Sequence, residues 1–311
     1  MHATRRILEA CARHGALILA LSIFVGLSTP PLAAVFRDVV TITVAGLMTL
    51  VLLRVDFGQV LGWLRRPLPI IALLIWLLLV CPILAFAVCW FLPLHPGYVA
   101  GLVVLATGCA ATSSPAFARL VGLDGEVAFV VSILSTFLVP FTAPPIALGL
   151  MNIDLALSLG GLMGRLALLV GLPMALSLML RRIIPPPALA REARAIDGVV
   201  VLLVAGYGVG VMDGVLPMML AEPMHVLSGV AMAFAGCLGL NAATALVFSA
   251  AGQRFSLAAG LLSGNRNMAL YLAVLPLETD PAILLFLTLC QFPLFLSPFL
   301  LGPLYRRLRH G

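Results

Sequence analysis

The sequence contains no lysine, and charged residues of any kind make up only 10% of its 311 residues. A water-soluble domain carries about a quarter charged residues. This shortage excludes a soluble enzyme, a disordered chain and a conventional nucleic-acid-binding protein. Apolar residues take the place of the missing charges: 62% of the chain is hydrophobic, and the mean hydropathy is +1.18. The composition therefore predicts an integral membrane protein in a lipid bilayer.

Motifs of catalysis and metal binding are also missing. The six cysteines stand singly, without a CxxC pair or a Cys/His cluster, so the sequence predicts neither a disulfide framework nor a metal site. No GxxxxGK loop is present, and ATP-driven transport by this chain alone is not expected. The apolar runs contain no His/Asp pair, so we expect no enzyme and no catalytic cofactor.

Apolar runs separated by charged residues, proline or glycine predict an all-α protein with ten transmembrane helices. The first run follows Arg5, Arg6 and Arg13, as the core of a secretory signal would. It is longer than such a core, and we interpret it as a span. The predicted spans are 15–35, 39–53, 68–92, 97–121, 126–150, 158–180, 196–215, 224–250, 255–275 and 281–304.

The arginines predict the orientation of these spans. All of them except Arg37, Arg165 and Arg266 fall in the termini and the even-numbered loops, which lie on one side. The opposite loops hold Arg37 together with acids such as Asp154 and Glu278. Because positive loops stay inside, we expect both termini in the cytoplasm.

A long polar loop, 181–197, divides the chain into halves of five predicted spans each. An odd number of spans per half inverts the second half relative to the first. Polar interruptions at 112–115 in span four and 264–267 in span nine lie about 152 residues apart. Broken helices at matching places of an inverted repeat are typical of a secondary transporter, although two such breaks can coincide by chance. The predicted domains are 1–180 for the first six spans, with repeat 1 at 1–152, and 153–311 for repeat 2.

The first interruption reads Thr112-Ser113-Ser114-Pro115. A hydroxyl residue followed by proline is typical of a helix start, because the proline N–H would lack a partner there in any case. The alternative is a proline kink in one continuous helix.

The second interruption places Arg266 within a span, between Asn265 and Asn267. An arginine at the bilayer centre costs at least ~2.5–3.5 kcal/mol on insertion scales. No acid lies deep in any predicted span to pair with it. Gly264 can end one half-helix and Asn265 can cap the next, so we expect a functional break here. We expect Arg165 to extend to the outer interface instead.

At these residues the chain resembles the bile acid:sodium symporter family, whose members carry two broken helices that cross at the membrane midplane. The first family motif is matched by 111–115, followed by the polar residues Ser132, Ser135 and Thr136. The second motif, an acid followed by Gly-x-Gln-Asn, is matched in part by 262–270. The resemblance covers nearly the full length in span count, repeat and motif placement.

The resemblance implies a core domain that contains the crossing broken helices, and a panel domain, with substrate bound between them beside the crossover. The implied core spans are 68–150 and 224–304, and the implied panel spans are 15–53 and 158–215.

The sequence departs from the family at the residues that bind two sodium ions. Leu262 stands at the acid position, Arg266 at the glutamine and Pro115 at the first-break asparagine. Sodium as a hard cation prefers several oxygen ligands and net negative charge, so the pattern argues against both sodium sites and leaves the coupling ion open. The remnants of the cation sites are Ser114, Ser132, Ser135 and Asn267.

Two interpretations of Arg266 stay open. Its guanidinium can replace a bound cation at the C-terminal ends of the broken half-helices. It can also pair with an anionic substrate beside the amides of Ser114 and Asn267.

We therefore expect a secondary transporter of a small organic anion, working by alternating access in a bacterial cytoplasmic membrane and binding no nucleic acid. A conventional sodium:organic anion symporter and an anion channel with Arg266 as its selectivity element are the alternatives. The candidate substrate contacts are Thr112, Ser113, Ser114, Asn265, Arg266, Asn267 and Gln291.

Overall fold

The computed structural model describes residues 2–55, 58, 62, 67–150, 153–276 and 278–310. Throughout these ranges the regular structure is helical, and we number the helices α1 to α18 along the chain. Arg65 and Arg66 of the second loop, which is predicted to be cytoplasmic, lie outside the described residues. The chain divides into two compact units: unit 1 is 1–55 and 167–223, and unit 2 is 56–166 and 224–311.

Unit 1 is built around one helix, Ala193–Gly210, which we label α12; the four helices within residues 2–53, α1 to α4, all pack against it. Small residues on α12 allow this close packing. At Gly210, for example, an added Cβ would lie only 2.8 Å from the Phe36 carbonyl carbon. The unit also holds an ion pair between Arg54 and Asp197. Its helices are α1 (His2–Arg13), α2 (Gly15–Ser28), α3 (Pro30–Asp38), α4 (Val40–Leu53), α11 (Pro186–Arg191), α12 (Ala193–Gly210) and α13 (Val215–Ala221), and α10 (Leu159–Ile183) contributes residues to both units.

Unit 2 contains two π-helical segments and two interrupted helices. The π-helical segments, Trp76–Val80 and Pro145–Leu150, lie beside Pro82 and Pro144, whose rings and missing N–H groups disturb the α-helical pattern. The helices of the unit are α5 (Pro67–Ile75), α6 (Cys81–Trp90), α7 (Pro96–Thr107), α8 (Ser114–Leu120), α9 (Gly125–Pro144), α14 (Pro223–Val247), α15 (Gln253–Gly264), α16 (Ala269–Val274), α17 (Pro281–Leu289) and α18 (Gln291–His310).

Six helices of the described chain are long and apolar enough to cross a membrane, and up to eight spans result if two bent helix pairs each count as one. The bent pairs are Thr4–Arg13 with Gly15–Ser28, at 85°, and Pro30–Asp38 with Val40–Leu53, at 64°. Predicted spans four and nine are pairs of short helices, so neither half crosses a bilayer alone. An all-helical membrane protein is confirmed, and the ten-span inverted repeat stays a prediction.

Large apolar side chains remain on the outside of the helices. Ile42, Leu68 and Leu246 are 74%, 80% and 73% exposed. A soluble protein rarely leaves so many such side chains in water, whereas lipid tails solvate them. The exposed surface therefore agrees with the membrane location predicted from composition.

We predict that Gly264→Ala lowers the free energy of unfolding by about 1–3 kcal/mol, as overpacking does in a close-packed interior. Gly264 ends α15 against α14, and an added Cβ would lie 2.5 Å from the Cys237 carbonyl oxygen. The measurement is the thermal unfolding midpoint in detergent. Gly239→Ala on α14 is the matched control, since a Cβ there meets nothing within 4 Å. Equal midpoints for the two variants would contradict this close helix contact.

Candidate functional site

Both predicted interruptions are real breaks in helices. In the first, α7 ends at Thr107 and α8 begins at Ser114, with Pro115 in its first turn. In the second, α15 ends at Gly264 and α16 begins only at Ala269. The alternative of a proline kink in a continuous helix is wrong, because six residues separate α7 from α8.

The two breaks pair with each other through their backbones. The Ala111 N–H donates to the Asn265 carbonyl at 2.8 Å, and the Asn267 N–H donates to the Cys109 carbonyl at 2.9 Å. Ala110 and Arg266 thus face each other in a short antiparallel bridge. Backbone groups freed by a break within a membrane need such internal partners, because lipid offers none.

Helix α9 supports this crossing with two serine hydroxyls. Ser135 Oγ accepts from the Ala110 N–H at 3.2 Å, and Ser132 Oγ donates to the Ala111 carbonyl at 3.4 Å. Ser132 and Ser135, which the resemblance marks as remnants of cation sites, therefore contact the backbone of the first break. Both are buried.

Arg266 lies at the crossing and is 1% exposed. Its Nε donates to the Ser263 carbonyl at 2.8 Å, and its Nη1 donates to the Gly108 carbonyl at 2.7 Å. Ser263 lies in the last turn of α15, and Gly108 is the C-cap of α7. The carbonyls of a last helical turn have no partner within their own helix. One guanidinium thus binds the C-terminal ends of both half-helices.

The surroundings of this guanidinium contain no carboxylate partner within the described part of the chain. All ion pairs among the described residues of the chain lie in unit 1, whereas Arg266 lies in unit 2. The ionisable groups near Arg266 are Cys81, Cys109, Cys237 and Tyr271. These are three thiols and one phenol, and none is a carboxylate. Among the described residues, the contacts of the Arg266 guanidinium are thus with backbone carbonyl dipoles.

Several buried polar atoms around the breaks lack a hydrogen-bond partner among the described residues. They are Arg266 Nη2, Asn267 Nδ2, Ser114 Oγ and Gln291 Oε1. The Asn267 amide has the Cys109 thiol as a neighbour, and a thiol is only a weak acceptor. Unsatisfied buried polar groups are rare in folded proteins and require an explanation. Chemically, these atoms are two donors, Arg266 Nη2 and Asn267 Nδ2, and two oxygens that can accept, Ser114 Oγ and Gln291 Oε1.

The remaining predicted contacts are distributed differently. Thr112 is half-buried and Ser113 is exposed, so the two residues before α8 are less enclosed than Ser114, its first residue. The sequence led us to expect that Asn265 caps α16, and this is wrong. The Nδ2 atom of Asn265 donates instead to Ser297 Oγ at 3.2 Å. Gln291 Nε2 donates to the Leu287 carbonyl at 3.4 Å, which leaves its Oε1 free.

Sequence reasoning missed the polar residues that surround the breaks. Asn241 of α14 donates to the Tyr305 hydroxyl at 2.6 Å. Together with Asn265 and Ser297 it lines a cavity of about 10 Å³, which is room for about one water molecule. Asn241 lies within predicted span eight. A polar side chain inside an apolar span is costly, so this residue could have been recognised from the sequence.

Arg165 is exposed, and its predicted place at the outer interface stays a prediction. Its Nη1 donates to the Val274 carbonyl at 2.9 Å, at the C-terminal end of α16. It therefore binds a helix end, as Arg266 does, but from an exposed position.

We predict an energetic coupling between Thr107 and Tyr271, which join the two breaks. Their hydroxyl oxygens lie 2.5 Å apart in a buried position. Thr107→Val and Tyr271→Phe should each lower the free energy of unfolding by about 1 kcal/mol, and the double variant should lose less than the sum of the two. Unfolding midpoints of the four proteins measure this cycle. Strictly additive losses would contradict the bond.

Comparison with known proteins agrees with this architecture. A sequence model of the Sodium Bile acid symporter family matches residues 41–215, which is more than half of the chain. The matched range includes the first break and ends before the second. No curated protein matches the chain. By this match and its apolar helices, the chain is an integral membrane protein that belongs to the sodium bile acid symporter family.

Proposed function

We propose that the chain is a secondary transporter of a small organic anion, working by alternating access across a bacterial cytoplasmic membrane. Membership of a transporter family supports transport rather than catalysis. The observation that favours an anionic substrate is the burial of Arg266, whose Nη2 has no partner among the described residues. A buried cation without a carboxylate favours a ligand of opposite charge.

The chemistry of the unpartnered atoms supports a carboxylate or sulfonate group. Arg266 Nη2 and Asn267 Nδ2 are unpartnered donors on consecutive residues, and charge-assisted bonds from a guanidinium to an oxyanion are among the strongest in proteins. Ser114 Oγ and Gln291 Oε1 can accept hydrogen bonds from polar groups elsewhere on the substrate. Thr112, Ser113 and Asn265 stay candidate contacts at the edges of the breaks.

A second concave region of unit 2 is less suited to an anion. It is a groove of about 770 Å³, lined by apolar residues such as Phe86 and Trp90. Its lining also contains the carboxylates of Asp154, Glu278 and Asp280. Like charges repel an anion there, so the electrostatics favour the crossing of the breaks as the substrate site.

We further propose ten spans with both termini in the cytoplasm. The two interrupted segments, 96–120 and 253–274, come in addition to the six to eight spans recognised by length. The predicted core spans 68–150 and 224–304 fall in unit 2, and the first two predicted spans fall in unit 1. These placements support the panel and core division, and the matching places of the two interrupted segments support the inverted repeat.

We predict that organic anions raise the thermal unfolding midpoint of the purified protein, and that Arg266→Gln removes this effect. The probes are taurocholate, pyruvate and succinate, with uncharged glycerol as the comparison solute. Losing a charged hydrogen-bond donor should weaken binding by at least ~10-fold, because such a bond contributes about 1.5–3 kcal/mol.

The matched control is Arg165→Gln, which removes an exposed arginine that also donates to a helix-end carbonyl. It should keep the full response to the anion that stabilises the wild type. A response to glycerol as large as that to the anions, or an unchanged response in Arg266→Gln, would overturn the proposal. Single-channel currents in planar bilayers would instead favour the anion channel.

A further inference from the structure

The position of Arg266 at two helix ends suggests a role beyond substrate binding. Each α-helix carries about half a negative charge at its C-terminal end. The guanidinium donates to the Gly108 carbonyl at the end of α7 and to the Ser263 carbonyl at the end of α15. The two ends together present about one unit of negative charge, which matches the single positive charge of the arginine.

Apart from the unpartnered oxygens of Ser114 and Gln291, the described groups at the crossing offer little to a sodium ion. A hard cation requires several oxygen ligands, usually with carboxylates among them. Leu262, in the last turn of α15, is fully buried and offers no side-chain oxygen. The hydroxyls of Ser132 and Ser135 are held by the backbone of the first break. A guanidinium at the same place would also repel a second cation.

We propose that Arg266 is a tethered cation, which neutralises the two half-helix ends permanently and takes over the role of a bound sodium ion. A covalently attached charge cannot dissociate, so the crossing stays assembled without any ion. Transport by this chain is then not driven by a sodium gradient. The part of this inference that concerns transport rests on the proposed function, whereas the electrostatic part concerns the crossing alone.

Binding of radioactive sodium to the purified wild type tests the absence of an ion site directly. We expect no saturable binding in choline chloride buffer, and the same unfolding midpoint in sodium chloride as in choline chloride. Saturable sodium binding, or a midpoint raised by sodium alone, would overturn the inference. Neither measurement involves a variant, so both remain decisive if variants fail to fold.

Chemical rescue tests the tethered charge. In Arg266→Ala the two helix ends lose their cation, and the unfolding midpoint should fall by on the order of 5 °C. Guanidinium chloride at low millimolar concentration should restore part of this loss, because the free ion has the same charge and N–H donors. Choline should not, since it has no N–H group. Arg266→Lys keeps the positive charge, so its unfolding midpoint should lie between those of Arg266→Ala and the wild type.

Arg165→Ala is the control for this experiment, because Arg165 is itself exposed and donates to only one helix end, so guanidinium should not rescue its loss. An Arg266→Ala midpoint equal to that of the wild type, or equal rescue by guanidinium and choline, would overturn the tethered cation. These assays contain no organic anion. Rescue without any anion response would therefore refute the proposed function alone, and an anion response without rescue would refute this inference alone.

Discussion

The structure of unit 2 depends on one constraint, which is that a backbone broken inside a membrane must find its hydrogen-bond partners within the protein. Two breaks meet this requirement by pairing with each other, through the Ala111 and Asn267 N–H groups and the carbonyls opposite them. Neither break is satisfied without the other. The surrounding helices then hold the pair in place, with α9 supplying Ser132 and Ser135 and α14 packing closely against Gly264.

The electrostatic environment of Arg266 follows from the same geometry. Ending two helices at one point brings their C-terminal carbonyls together, and Arg266 donates to one carbonyl from each end. This arrangement gives the guanidinium most of its compensation without a carboxylate. One nitrogen has no partner in the described part of the chain, so the same residue can organise the crossing and still offer a donor to an anion. The two roles that we propose for Arg266, organising the crossing and binding an anion, therefore fall on different atoms of one side chain.

Local signals made the breaks predictable. Pro115 cannot donate within a helix, Gly264 tolerates a helix end in close packing, and Arg266 is costly in an apolar span. Contacts between distant segments were not predictable in the same way. The expectation that Asn265 caps α16 was wrong, because the Asn265 side chain donates instead to Ser297 on α18. Whether Ser132 and Ser135 bind a cation or the backbone likewise depends on where α9 lies.

The sequence by itself determined that this is an all-helical membrane protein, where its helices are interrupted and which family it resembles. Those properties depend on hydropathy and on proline, glycine and charge within a few residues. Only the tertiary structure decided that the two breaks pair, that Arg266 binds both helix ends and that particular atoms stay unpartnered. The physical reason is that a hydrogen bond depends on the position and direction of its partner, and Gly108 and Arg266 are brought together only by folding.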